Sequence, residues 1–154
     1  MSEILNARGS VISEVVQIVP LGIDVIDAAV TLWRDAGLLR PWNNPWEDAR
    51  QAIACPSSAI LGGYGAGRLI ATAMVGYDGH RGWVYYLAVA KNYRRHGVGR
   101  LMMAACESWL LEREAVKIQL MVRLDNKEVA RFYARLGYAN EEFLFFSKRL
   151  DRSS

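Results

Sequence analysis

The sequence predicts one α/β domain, a mixed central sheet with helices on both faces. Three observations carry this. Trp83 to Ala90 is an aromatic and β-branched run without charge, which suits a buried strand. Val98, Leu101, Met102, Ala105 and Trp109 then recur at helix spacing. Between the two lies a short basic loop with two glycines, Arg94-Arg95-His96-Gly97-Val98-Gly99-Arg100.

The elements follow in order. Residues 1–14 mix polar and small residues and read as an N-terminal extension; the domain proper spans 15–150. Val15 to Val19 reads as a strand ended by Pro20. Asp24 is placed to cap a helix over Val25 to Ala36, with Ile26, Ala29, Val30 and Trp33 as its apolar stripe. A loop with Arg40, Pro41, Trp42 and Asn43 follows. Pro45, with Glu47 and Asp48 behind it, starts a second helix that runs to about Ala54. Ser58 to Gly63 and Leu69 to Tyr77 form a hairpin, and the turn at Asp78-Gly79-His80-Arg81-Gly82 leads into the strand at Trp83. After the 98–111 helix, Lys117 to Val122 alternates as a strand, which a right-handed crossover would set parallel to 83–89. Asp125 is placed to cap a helix with Glu128 at the capping-box position, and Gly137 closes it. Tyr138 to Leu150 is a last extended section. The order is β-α-α-β-β-β-α-β-α-β.

The bulk numbers exclude several classes. With 154 residues, 52% apolar and 23% charged, the composition is that of an ordinary globular domain. No apolar run approaches the ~20 residues of a membrane span, and the N-terminus lacks a signal-peptide layout. Cys55 and Cys106 fit no metal spacing and read as free thiols of a reducing, cytoplasmic compartment. A net charge of +3 is too mild to argue for nucleic acid. No metal, membrane or nucleic-acid partner is expected.

The basic loop has a physical use. The first turn of a helix presents backbone N–H groups without intrahelical partners, and the helix dipole adds positive potential. Glycines remove the Cβ atoms that would hold a phosphate away. A P-loop would need Gly-x-x-x-x-Gly-Lys-Ser/Thr, which is absent. A dinucleotide fingerprint would need a third glycine where Met102 stands. The expected ligand is a pyrophosphate.

Arg94-x-x-Gly97-x-Gly99 after a strand resembles the coenzyme-A loop of the GNAT superfamily of N-acetyltransferases. A second segment, Asn126-x-x-x-Ala130-x-Phe132-Tyr133-x-x-Leu136-Gly137-Tyr138, is similar to another motif of that family. The segments 38–43 and 76–82 resemble a small bacterial subgroup called YpeA-like. The resemblance covers about residues 15–150 and implies the GNAT fold, with acetyl-CoA as co-substrate and no metal. It implies that backbone groups of Leu87, Ala88 and Val89 take the pantetheine arm. Arg94, Arg95, His96, Gly97, Val98, Gly99 and Arg100 would take the pyrophosphate, and Asn126 and Tyr133 would also contact the cofactor.

The implied reaction is acetyl transfer to a primary amine of a small molecule by direct attack. The amine must be neutral to attack. The Val89 N–H is the natural oxyanion donor, and Tyr133 is the candidate general acid toward the leaving thiolate. Histone-type members carry a glutamate base where Trp83 stands, and Trp83 accepts no proton. Asp78, His80 and Tyr86 are the substitutes, His80 because a histidine titrates near pH 6.5 in the absence of perturbation. Arg40, Trp42, Asn43 and Tyr85 are the candidate acceptor residues, Arg40 for a carboxylate. The alternatives are a protein N-acetyltransferase acting on lysine or an N-terminus, a non-catalytic coenzyme-A-binding domain, and a nucleic-acid binder. A homodimer is compatible with all of these.

Overall fold

The computed structural model describes residues 16–151 and, before them, the backbone of Ile4–Leu5 and Val11–Ile12. Those two short strands, β1 and β2, pair antiparallel. The rest of the expected extension and Val15 lie outside the described residues. The chain forms two compact units, residues 1–121 and 122–154.

The first unit holds a five-stranded sheet in chain order: β3 (Gln17–Pro20), β4 (Ser58–Gly65), β5 (Arg68–Tyr77), β6 (Gly82–Val89) and β7 (Ile118–Gln119). β3 to β6 are antiparallel to their neighbours, and β7 is parallel to β6. Helices α1 (Ile26–Asp35) and α2 (Pro45–Ala54) cover one face, and α3 (Val98–Leu111) covers the other. The faces can be told apart by packing. A Cβ on Gly82 would stand 2.4 Å from Leu110 of α3, and one on Gly63 would stand 3.0 Å from the sulfur of Met102. α3 buries Val98, Met102, Met103, Cys106 and Leu110. Trp109, expected in that stripe, instead carries the Arg113 guanidinium 3.5 Å above its ring.

Several element boundaries of the first unit differ from the sequence expectation. β3 runs through Pro20, which pairs with Leu61, rather than being ended by it. Asp24 does not cap α1: the chain first tightens into a 3-10 turn over Ile23–Val25, with the Val25 N–H donating to the Gly22 carbonyl at 3.3 Å. β7 is two residues long, not six, because β6 and β7 pair only at Gly82↔Ile118 and Trp83↔Gln119. α2 begins as expected at Pro45, and the Asn44 side chain accepts the Glu47 N–H at 3.1 Å.

The core between α1 and the sheet contains a polar relay. Trp33 and Thr72 are both fully buried. The Trp33 indole Nε1–H donates to Thr72 Oγ1 at 2.8 Å, and the Thr72 hydroxyl donates to the Tyr86 carbonyl at 3.0 Å. The Tyr86 ring stacks on Trp33, with centroids 4.0 Å apart. The relay sits at a break in the β5–β6 ladder. Thr72 faces Ala88 but Met74 faces Tyr85, so Tyr86 and Leu87 share the place opposite Ala73. Tyr86 takes φ 53° there, in the region that glycine favours.

The second unit is built on α4 (Lys127–Arg135). Asn126, not Asp125, caps it, accepting the Val129 N–H through Oδ1 at 3.3 Å, so the expected capping box is out of register by one residue. Gly137 at φ 93° ends the helix, and the Tyr138 N–H returns to the Tyr133 carbonyl at 3.0 Å. The final strand expected over 138–150 is not formed among the described residues. Asn140 Oδ1 accepts the Glu142 N–H in a local turn, and Glu142 has φ 56°. Phe143-Leu144-Phe145-Phe146 is a block rather than an alternation, so it offers no one apolar face to a sheet, and all four side chains are exposed.

Replacing Thr72 with valine keeps the shape and removes the relay, which leaves the Trp33 N–H and the Tyr86 carbonyl buried and unpaired. Thr72→Val should therefore cost about 2–4 kcal/mol of unfolding free energy, read as a lowered denaturant midpoint at unchanged slope. A change under about 0.5 kcal/mol, the ordinary range for a neutral surface substitution, would show that the relay carries little.

Candidate active site

β6 organises the site because its two edges differ. The Ala90 N–H donates to the Ile70 carbonyl at 2.7 Å, which directs Ala90 and, two residues earlier, Ala88 toward β5. Val89 and Leu87 alternate with them and present their backbone groups to the other edge. Among the described residues β7 does not pair with that edge beyond Trp83. A length of strand without a ladder partner on one edge can take an extended ligand bearing amides as an added strand. The side chain of Arg94 bends back to this edge, and its Nε donates to the Val89 carbonyl at 3.0 Å.

The same strand runs into the anion loop. A 3-10 turn at Lys91–Tyr93 is followed by Arg95 at φ 66° and Gly97 at φ 82°, and α3 starts at Val98. Gly97 is the N-cap and brings no side-chain cap. The first turns of α1, α2 and α4 carry acidic residues, whereas that of α3 carries none and holds Arg100 instead. The opening N–H groups of α3 thus face a basic surround rather than a carboxylate. That suits a bound anion and fits a pyrophosphate.

The other face of β6 carries an open pocket of about 220 Å³, lined by Ser57, Ser58, Gly76, Tyr77, Asp78, Trp83 and Tyr85. Trp83 and Tyr85, two apart on the strand, share this face; their rings are inclined by only 14° with centroids 6.5 Å apart. Asp78 is held firmly. Its Oδ1 accepts the N–H groups of Arg81 at 2.7 Å and His80 at 2.8 Å, and Oδ2 accepts the Trp83 indole N–H at 3.3 Å. These donors, the backbone ones foremost, hold its carboxyl below the usual aspartate range. Partial burial, and then the Asp78 charge, push the Tyr85 phenol up.

The three candidate bases therefore stand differently. Tyr86 donates its hydroxyl to Asp48 Oδ2 at 2.8 Å, and burial with that bond holds the phenol protonated. Asp78 is a weak base because its charged form is the one its donors favour. His80 is exposed on the turn. Of the expected acceptor residues, Tyr85 lines the pocket and the other three do not. Arg40 spends Nη1 on the carbonyls of Gly37 and Leu39, at 3.0 and 2.9 Å. Trp42 is more than half exposed, and Asn43 donates its backbone N–H to the Arg40 carbonyl at 3.1 Å. The sequence reading missed Ser57, Ser58 and the Trp83–Asp78 bond; the spacing Asp78-x-x-x-x-Trp83 across a tight turn was the signal available.

In the second unit, Asn126 uses its side-chain oxygen to cap α4, so its amide N–H groups are the part suited to a ligand. Tyr133 is buried, with Phe132 and Tyr138 edge-on to its ring at 5.0 and 5.6 Å. Burial pushes the Cys106 thiol up to about 12, and Cys55 is exposed. Among the described residues no His, Cys, Asp or Glu side chains gather in a group of three or more that would hold a metal ion, and no helix is long and apolar enough to cross a membrane.

Comparison with known proteins shows the family and the fold. The sequence pattern of the Acetyltransferase (GNAT) family matches residues 27–138. A protein of Pectobacterium atrosepticum described as an acetyltransferase is 37% identical over 127 residues, covering 82% of this chain and 90% of that protein. Among solved structures, the aminoglycoside N-acetyltransferase AAC(6')-Iy in complex with CoA aligns with a TM-score of 0.77 at 14% identity, covering 91% of this chain and 98% of that one. The ribosomal-protein-alanine N-acetyltransferase of Brucella melitensis aligns at 0.71 and 17% identity, covering 88% and 100%.

Gly97 tests the loop. A Cβ there would meet nothing within 4 Å, so the demand for glycine comes from its positive φ alone. Gly97→Ala should lower stability by about 1 kcal/mol, and Gly97→Asn by less, since asparagine tolerates this region. Thermal unfolding of the two variants checks the order; a Gly97→Val protein as stable as the parent would contradict it.

Proposed function

Since the chain belongs to the GNAT family of acetyltransferases, and is thus an acyltransferase using acetyl-CoA, we propose that it acetylates the primary amine of a small molecule. The observation that carries this reading is the placement of a small, open aromatic pocket on the same strand as the edge of β6 that β7 leaves without a ladder partner beyond Trp83. A pocket of about 220 Å³ suits part of a small ligand better than a length of polypeptide.

The residues present fit the cofactor. The N–H groups of Val98 to Arg100, with Arg94, Arg95 and His96 around them, would hold the pyrophosphate. Leu87 and Val89 would pair with the pantetheine amides, with Ala88 between them turned to β5; for Asn126, in the second unit, a cofactor contact is what the family resemblance implies. When bound, acetyl-CoA supplies the thioester that the amine attacks. The Arg94 guanidinium must yield the Val89 carbonyl if that carbonyl is to accept an amide N–H. The Val89 N–H would donate to the oxygen on which negative charge develops. For Tyr133, in the second unit, the family resemblance implies the role of returning a proton to the departing sulfur. The amine reaches the site neutral, with His80 the exposed group able to take its proton. Asp78, charged throughout the neutral range, orients rather than abstracts.

Acetyl-CoA at a hundredfold excess over its Kd should stabilise the protein by about 2.7 kcal/mol, read as a thermal shift. A panel of primary amines should then release free coenzyme A. Tyr133→Phe should lower kcat by about tenfold to a hundredfold at little change in the KM for acetyl-CoA. No shift at that excess would overturn the cofactor assignment. A shift without thiol release across the panel would overturn the small-amine assignment.

A further inference from the structure

The pocket at the start of β6 holds more than the reaction uses. The attacking nitrogen must be neutral, yet the pocket wall carries a fixed carboxylate. Asp78 makes no ion pair among the described residues. The Arg81 guanidinium does not pair with it, donating instead to the His80 carbonyl at 3.0 Å, and the charge of His80 is the smallest of the influences on its carboxyl. Three N–H donors fix the carboxylate in place, and beside it Trp83 and Tyr85 present nearly parallel ring faces. A carboxylate that makes no ion pair, next to aromatic faces, is a recognition element for an organic cation, which gains from the charge and from the ring quadrupoles together. The neutral lining from Ser57, Ser58 and Gly76 adds no competing positive charge.

Position separates this element from the chemistry. Trp83 lies four residues before Leu87 on β6, which places the pocket roughly 10–13 Å along the strand from the Leu87–Val89 edge. We infer that the pocket binds a second, protonated amino group of the acceptor, so that the substrate class is a di- or polyamine or an amino sugar whose distal ammonium rests on Asp78, Trp83 and Tyr85 while another nitrogen reacts. The inference rests on the small-amine reading above and deepens it. Asp78, Trp83 and Tyr85 are specificity residues: they hold the acceptor by the end that does not react. A substrate with a carboxylate at that end is disfavoured, since it would face Asp78.

The test uses binding without turnover. Calorimetry on the CoA-loaded protein, with no acetyl donor present, compares a linear diamine with the monoamine of the same length, across a series of chain lengths. The diamine is expected to bind roughly tenfold or more tightly at the best length, and Asp78→Asn should remove that preference. The amide oxygen introduced by Asp78→Asn can still accept both turn N–H groups, so the variant removes charge and keeps the turn. Trp83→Leu should weaken the diamine more than the monoamine. Equal affinities, or a preference that survives Asp78→Asn, would overturn the inference. Failure of the acetyl-transfer reading looks different: the diamine would bind with the expected preference, but acetyl-CoA would not be consumed when supplied.

Discussion

The relay from Trp33 through Thr72 to the Tyr86 carbonyl is the interaction on which the rest of the site depends. It is buried, and each of its bonds satisfies a group that would otherwise be left orphaned between α1 and the sheet. Its consequence is geometric. The Tyr86 backbone is held at positive φ, which inserts one extra residue into β6. Strict alternation would set Tyr85 and Tyr86 on opposite faces. With the insertion, Tyr86 stacks on Trp33 of α1 while Tyr85 runs beside Trp83 toward the pocket. A local backbone cost of about 1–3 kcal/mol is offset by the relay and by the ring stack.

The same insertion separates two jobs along one strand. Before it, β6 is paired on both sides at Gly82 and Trp83 and on the β5 side at Val84 and Tyr85, and it presents Trp83 and Tyr85 to a pocket. After it, the strand is paired on the β5 side, and its other edge carries the backbone groups of Leu87 and Val89. The strand then ends in a turn whose helix start is basic and uncapped. On the proposed reading, different lengths of β6 would serve an elongated, amide-bearing, anionic ligand and a compact cationic one. Tyr86, at the junction, is tied to α2 by its bond to Asp48, so the junction is braced from both helices of that face.

Much of this was legible in the sequence, and the reasons are local. The uncharged run at 83–90, the glycines at 97 and 99 and the helix spacing after them depend on residue chemistry within a few positions, and the strand, loop and helix form there. The hairpin of β4 and β5 and the start of α2 at Pro45 are local in the same way. The insertion at Tyr86 was not legible, because it is stabilised by Thr72 and Trp33, which stand far from it in the chain. The surroundings of Arg40 were not legible either: its Nη1 donates to the carbonyls of Gly37 and Leu39, backbone groups whose direction is set by how α1 ends. The final strand over 138–150 was read from bulk alone. A block of four large apolar residues lacks the alternation that would fix a sheet face, and the local turn at Asn140–Glu142 is formed instead.

The central claim is that the far edge of β6 and the first turn of α3 form one continuous binding surface for coenzyme A. Residue-resolved amide hydrogen exchange with and without coenzyme A tests it most directly. In the free protein the amides of Ala88 and Ala90 should already be slow, while those of Leu87, Val89 and Val98 to Arg100 exchange fast. Adding coenzyme A should slow Leu87, Val89 and the α3 amides together and leave Ala88 and Ala90 unchanged. Protection elsewhere on the chain, with Leu87 and Val89 still fast, would contradict the account.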